Sequence, residues 1–204
     1  MLGSSSENLG FTLIEVLISL LLGSLLLTMV ISLYVTNVSA GGKAIKFSRL
    51  RTDLQSLIGV MEEDIRRAGY GGSEFMVGVG KSKVVDTINS STEKCIVYSY
   101  NFDGAATVTS SHFIGFRYSV DQQSVQFGRH VDIQAINCFS SGRWENLTDP
   151  NFLKVTELSF VESITSNAQA TMRTVDIHVA GELLTNSDYN HQVRTRVQVR
   201  NLEF

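Results

Sequence analysis

The sequence predicts an α+β protein, with a long N-terminal helix that is first apolar and then amphipathic, packed on an antiparallel β-sheet. Three observations carry this. From Phe11 to Tyr34 the chain has no Lys, Arg or Asp, and Glu15 is its only acid. From Leu50 to Ile65 apolar residues recur at helical spacing. After Gly72 the spacing falls from about 3.6 residues to about 2, and turn-forming residues break the apolar runs.

The first element, residues 11–34, is roughly 24 residues long, enough to cross a bilayer core as a helix. It is too long for the apolar part of a secretory signal, and no A-x-A-like cleavage site follows it. The preceding MLGSSSENLG is short, polar and glycine-ended, with Glu7 and no basic side chain. Glu15 needs explaining, because a carboxylate in hydrocarbon costs at least about 2.5 kcal/mol. At about 100° per residue, Thr12, Glu15, Ser19 and Gly23 fall on one narrow face. Small residues at that spacing let another helix approach closely. A carboxylate on such a packing face implies a cationic partner.

The second element, residues 35–69, stays helical but turns polar. Gly41-Gly42 is its expected weak point or bend. Leu50, Leu54, Leu57, Ile58, Met61 and Ile65 form a stripe facing a core, with Arg51, Asp53, Glu62, Glu63, Arg66 and Arg67 largely outward. Gly69 ends the helix as a C′ residue, after two arginines suited to the C-terminal dipole. The EEDIRR cluster is most simply a solvated face laced by ion pairs.

Residues 70–204 are the β-rich part. KCIVYSYNF, HFIGFRYSV, SVQFGRHVDI, VTELSFVE, TVDIHVAGEL and VRTRVQVRNLEF read as strands, separated by turn-rich NFDGAA, VDQQ, SSGR and LTDPN. In HFIGFRYSV, Ile114, Phe116, Tyr118 and Val120 alternate with Gly115, Arg117 and Ser119. The last strand turns Val193, Thr195, Val197 and Val199 inward and Arg194, Arg196, Gln198 and Arg200 outward. That arginine row could bind a polyanion, but one solvated sheet face explains it better.

Composition bounds the function. A chain of 204 residues, 43% hydrophobic, holds one membrane segment and one modest globular domain. A net charge of −3 argues against a basic nucleic-acid binder. Pro150 is the only proline, so there is no proline-rich linker. The histidines at 112, 130, 178 and 191 lie far apart, and no H-E-x-x-H, G-x-S-x-G or P-loop pattern occurs. Asn101 to Gly104 faintly resembles the start of a calcium loop but reads as a turn. No catalytic residue, metal or cofactor is expected. Cys95 and Cys138 lack C-x-x-C spacing; they are a disulfide if the domain lies outside the cytoplasm and two buried thiols if it lies inside. Lys43, Lys46, Arg49 and Arg51 would hold the body in the cytoplasm by the positive-inside rule, whereas the cysteines and the β-rich body favour export.

A short leader ending in Gly10, then Phe-Thr-Leu-Ile-Glu opening a membrane-length run, resembles the type IV pilin and pseudopilin precursors. The resemblance implies cleavage by prepilin peptidase between Gly10 and Phe11, with residues 1–10 as a cytoplasmic leader and Phe11 as the N-methylated first residue. It implies that Glu15 meets the amino terminus of a neighbouring subunit, which would compensate the carboxylate. It also implies that the head is exported from the inner membrane into the pilus, which removes the orientation conflict. RLRTDLQSLIGVMEEDIRRAGYGG, CIVYSY, WENLTDP and VRTRVQVRN resemble PilW-type minor pilins. Ser32, where major pilins commonly have proline, and the placing of Gly23 fit a minor subunit. The resemblance makes Cys95 and Cys138 the head disulfide. Its implied partners are other minor and major pilins, prepilin peptidase and the inner-membrane assembly machinery, with no nucleic acid. Alternatives are a J-type minor pseudopilin of type II secretion, and a tip adhesin or DNA-capture subunit.

Overall fold

A computed structural model describes residues 10–132, 134, 138, 141–166 and 171–200. Leader residues 1–9, the end of the SVQFGRHVDI run at Ile133 and residues 201–204 of the last run lie outside them. The chain divides into two compact units, Met1–Ile45 and Lys46–Phe204.

Helix α1 spans Leu13–Ile65. Thr12 starts it as an N-cap, since its Oγ1 and its carbonyl oxygen both accept the Glu15 N–H, at 3.3 and 3.1 Å. In the first unit every described residue is exposed. The polar side chains there bond to their own helix: Ser19, Ser24, Thr28 and Thr36 donate to carbonyls three or four residues back. Such back-bonds leave few free donors on an apolar surface. At Gly41-Gly42, the expected weak point or bend, the helix is not interrupted, because both residues lie inside α1. Neither position has a side chain nearby to force the backbone off its helical path.

The second unit closes on the amphipathic stripe. Leu50, Leu54, Leu57, Ile58, Met61 and Ile65 are the buried residues of α1. The regular helix ends at Ile65, earlier than expected. Arg67 and Ala68 then donate to carbonyls three residues back, and Gly69 takes the left-handed φ of 75° that lets the chain leave.

The antiparallel sheet divides in two. Strands β1 (Val85–Asn89), β2 (Lys94–Ser99), β3 (Phe113–Ser119), β4 (Ser124–Arg129) and β5 (Arg143–Asn146) pair in chain order. Strands β6 (Leu153–Ser166), β7 (Thr171–Leu183) and β8 (Asn186–Val199) form a second, three-stranded sheet. All pairings are antiparallel. The α1 stripe shares one core with Ile96, Phe116, Val125, Phe160, Ile177 and Val197, which come from both sheets.

A smaller core of Val77, Cys95, Val97, Phe113, Val131 and Cys138 forms a separate cluster. Cys95 and Cys138 are disulfide-bonded, with Cα atoms 5.6 Å apart. The bond fixes the segment after β4 to β2. Arg117 strengthens the join: its guanidinium donates to the Cys138 carbonyl at 3.0 Å and lies 4.2 Å from the Trp144 ring centre. Gly128 permits this packing, because a Cβ there would meet the Trp144 ring at 2.6 Å.

Candidate functional site

Phe11, Glu15, Ser19 and Gly23, four of the residues singled out near the N-terminus, lie along one shallow groove on the first stretch of α1. Phe11, Glu15, Val16, Ser19, Leu20, Gly23, Ser24 and Leu27 line a shallow depression of about 520 Å³. Gly23 opens it, with no neighbouring atom within 4 Å of where a Cβ would stand. Thr12 does not line the groove; it serves as the helix cap. Glu15 stands in the first turn, where the positive end of the helix dipole favours a carboxylate. Around it, nineteen large apolar side chains from Phe11 to Val38 are exposed. Burial of each is worth about 2 kcal/mol, so the stretch holds tens of kcal/mol of unused hydrophobic driving force. Against that sum the cost of one carboxylate is minor, and the stretch can enter lipid or a helical bundle with Glu15 in place. Among the described residues, α1 is the one helix long and apolar enough to cross a membrane.

In the second unit one acid of the EEDIRR cluster departs from the solvated reading. Asp64 accepts hydrogen bonds from Tyr98 Oη at 2.5 Å and Tyr100 Oη at 2.7 Å, tying α1 to β2 and its continuation. Burial first, and then the negative Asp64 beside it, push the Tyr98 hydroxyl pKa well above its ordinary value. The same two causes raise Tyr100 to about 12. In the sequence Asp64 lies next to the buried stripe, and Tyr98 and Tyr100 lie in the run KCIVYSYNF, but nothing there brings the three together. Glu62 pairs with Arg66 one turn on, as an ion-pair-laced face requires, but is half-buried and also accepts from Thr195 Oγ1 of β8 at 3.3 Å, while Glu63 is exposed.

The histidines stay apart. His112 is fully buried. Thr109 N–H donates to its Nδ1 at 3.0 Å, which leaves Nε2–H to donate to Asp103 at 2.9 Å. That bond holds the Asp103 carboxyl below its ordinary range. Asn101 to Gly104 is the expected turn, with the Gly104 N–H donating to Asn101 Oδ1 at 2.8 Å. Among the described residues no three His, Cys, Asp or Glu side chains gather where they could hold a metal.

A long apolar N-terminal helix, amphipathic in its later turns and followed by antiparallel sheet, defines a type IV pilin-like protein. Residues 6–31 match the prokaryotic N-terminal methylation motif, which covers Gly10, Phe11, Thr12, Glu15, Ser19 and Gly23. Residues 43–199 match the model of prepilin peptidase-dependent protein B, well over half of the chain, and the protein belongs to that family. Comparison with curated proteins and with solved structures gives no match.

Proposed function

We propose that the chain is a minor type IV pilin of the PilW type, a structural subunit without enzymatic activity. Residues 1–10 are a leader that prepilin peptidase removes between Gly10 and Phe11, and Phe11 is then N-methylated. Residues 11–34 anchor the subunit in the inner membrane and later pack into the filament. Residues 35–69 join that anchor to the head, and residues 70–204 are the exported, β-rich head. Its partners are other minor and major pilins and the inner-membrane assembly machinery.

The observation that carries this reading is Glu15, an acid in the groove of an otherwise apolar exposed stretch. The small residues Ser19 and Gly23 leave room for a neighbouring helix, and the carboxylate supplies the charge to meet a cationic amino terminus. The oxidising compartment implied by the disulfide supports an exported head.

The test is Glu15→Val. Synthesis, insertion and leader removal should stay intact, while crosslinks to other pilins and surface pili fall sharply. Glu15→Gln should fail partly if hydrogen bonding carries some of the contact. Full piliation by Glu15→Val would sink the pairing role and favour a tip position with no neighbour above. Loss of cleavage would assign Glu15 to the peptidase instead. A chain deletion scored in parallel for surface pili and for secreted exoproteins separates the pilus from a type II secretion pseudopilus.

A further inference from the structure

We infer that the free edge of β8 receives an extended segment of a different chain, one that alternates acidic with apolar residues.

The argument starts from how each sheet edge is managed. An open edge presents unpaired N–H and C=O groups, and folded proteins normally shorten, bulge or cover it. Here β1 has five residues and β5 four. The β6 edge has a register shift at Val155–Glu157, and its Val155 N–H is taken by the Gln123 carbonyl at 2.8 Å. Strand β8 is neither short nor, among the described residues, main-chain bonded along its outer edge, while β6 runs free of its shift only from Glu157 to Ser166. The β8 strand pairs with β7 over ten consecutive positions, from Val199↔Arg173 to Asn190↔Glu182, and the only register shift lies at Glu182/Leu183, next to the hairpin turn. Among the described residues no further main chain bonds to it. In an antiparallel strand about half of the residues point both N–H and C=O away from the paired neighbour, so β8 offers a regular ladder to an incoming strand.

The two faces of β8 specify the occupant. Val197 and Val199 are buried on the inner side, with Val193 and Thr195 half-buried, so an added strand needs apolar residues there. Arg194, Arg196 and Arg200 are exposed on the outer side, and residues 190–200 contain no acid. Arg196 is held by Asp176 of β7, at 2.6 and 3.0 Å. Arg194 and Arg200 make no ion pair among the described residues. Opposite charges across a strand pair stabilise and like charges destabilise. A second copy added antiparallel would set one arginine row beside another on the same face. The charge pattern therefore selects a different chain with Asp or Glu on alternate residues. The site uses none of residues 10–45, so its failure leaves the assembly reading untouched.

The experiment uses the full chain in detergent and a labelled peptide of about ten residues alternating Glu with Val, with a Lys-Val peptide as control. Anisotropy should show the acidic peptide binding about fivefold more tightly than the basic one at low salt, with the gap narrowing as salt rises. Amide exchange should slow on residues 190–199 when it binds. Arg194→Glu should reverse the preference; if that variant fails to fold, Arg194→Gln should weaken the acidic peptide alone. Equal binding of the two peptides, or protection confined to other strands, overturns the inference. Protection of residues 190–199 that grows with protein concentration alone also overturns it, because a second copy is then the occupant.

Discussion

Helix α1 uses one backbone geometry in two surroundings. From Leu13 to Ile45 its leucines, isoleucines and valines point all round and none is buried; from Lys46 to Ile65 all but the exposed Val60 fall on one stripe, which is buried. The same residue types therefore act differently according to their spacing. An all-round apolar surface has no core of its own to fill and calls for lipid or neighbouring helices. A stripe supplies one wall of a core and leaves Arg51 and Glu63 exposed. The first stretch keeps its hydrophobic free energy for insertion or assembly, and the second uses it in folding the head.

The sharpest test of that division is the disulfide, which belongs to the second unit alone. Its cysteines are 43 residues apart, and replacing both Cys95 and Cys138 by Ser should cost about 4 kcal/mol in the chain-entropy picture. Thermal unfolding followed by Trp144 fluorescence should shift down strongly. Helicity of residues 13–45 should not change, and a parallel loss there would break the comparison.

Next in size is a matched pair of leucines. Leu54 is fully buried, and Leu54→Ala should destabilise the head by about 3 kcal/mol through lost burial and the cavity left behind. Leu22 is 54% exposed, and Leu22→Ala should leave the unfolding midpoint unmoved while weakening retention in lipid vesicles. Equal destabilisation by the two would show that the first stretch takes part in the head's cooperative unit.

Smaller effects come from the Asp64 pair. Tyr98→Phe removes a buried bond to a carboxylate and should cost about 2 kcal/mol, with Tyr100→Phe costing less because Tyr100 is only half-buried. Both tyrosines hold their protons more tightly in the folded head than the ordinary value of 10.0 would allow. This stability is complete below that value and is lost as pH rises through 10 towards about 12, where the folded Tyr100 titrates. Alkaline unfolding monitored by tyrosinate absorbance should begin in that window. Tyr100→Phe should narrow it, and an unchanged alkaline limb would remove the tyrosines from the account.

Which parts were legible follows from the same physics. The α1 stripe was readable because six apolar residues repeat at helical spacing, and all six are buried. The alternation in β8 was readable from Val193 onward, where valine and arginine take turns. Its earlier half, Asn186 to Gln192, was not, because its residues are polar; Tyr189 and His191 there pack against Phe47 of α1. β1 and β5 went unread for a related reason: VDTIN and RWEN are short and polar, and it is their neighbours that make them strands. In SVQFGRHVDI the strand stops at Arg129, where His130 takes a φ of 54° that no apolar pattern announces. That Glu15, Ser19 and Gly23 share a side of α1 follows from their spacing, since a helix fixes its own faces without tertiary help, whereas Val16, Leu20, Ser24 and Leu27 beside them carried no signal of their own. Asp64 could not be read, because its role depends on which strand lies against the helix.

The smallest expected effect tests the boundary between the two stretches. Gly41 and Gly42 lie inside α1, just before the units divide after Ile45. A helix-interior glycine costs about 1 kcal/mol relative to alanine, chiefly through backbone entropy. Neither position has an atom within 4 Å of a built Cβ, and neither has a positive φ, so alanine is accommodated without strain. Gly41→Ala with Gly42→Ala should therefore slow amide exchange by up to about fivefold per site across residues 38–46. The unfolding midpoint of the head should stay fixed, because no core residue is touched. If the glycines serve only as weak helix positions, membrane retention and crosslinking to other pilins should also be unaffected. If crosslinking falls while exchange slows, the loosened turn is itself needed when the helix leaves the membrane for the filament. If the midpoint rises, the helix transmits stability across Ile45, and the two stretches fold as one.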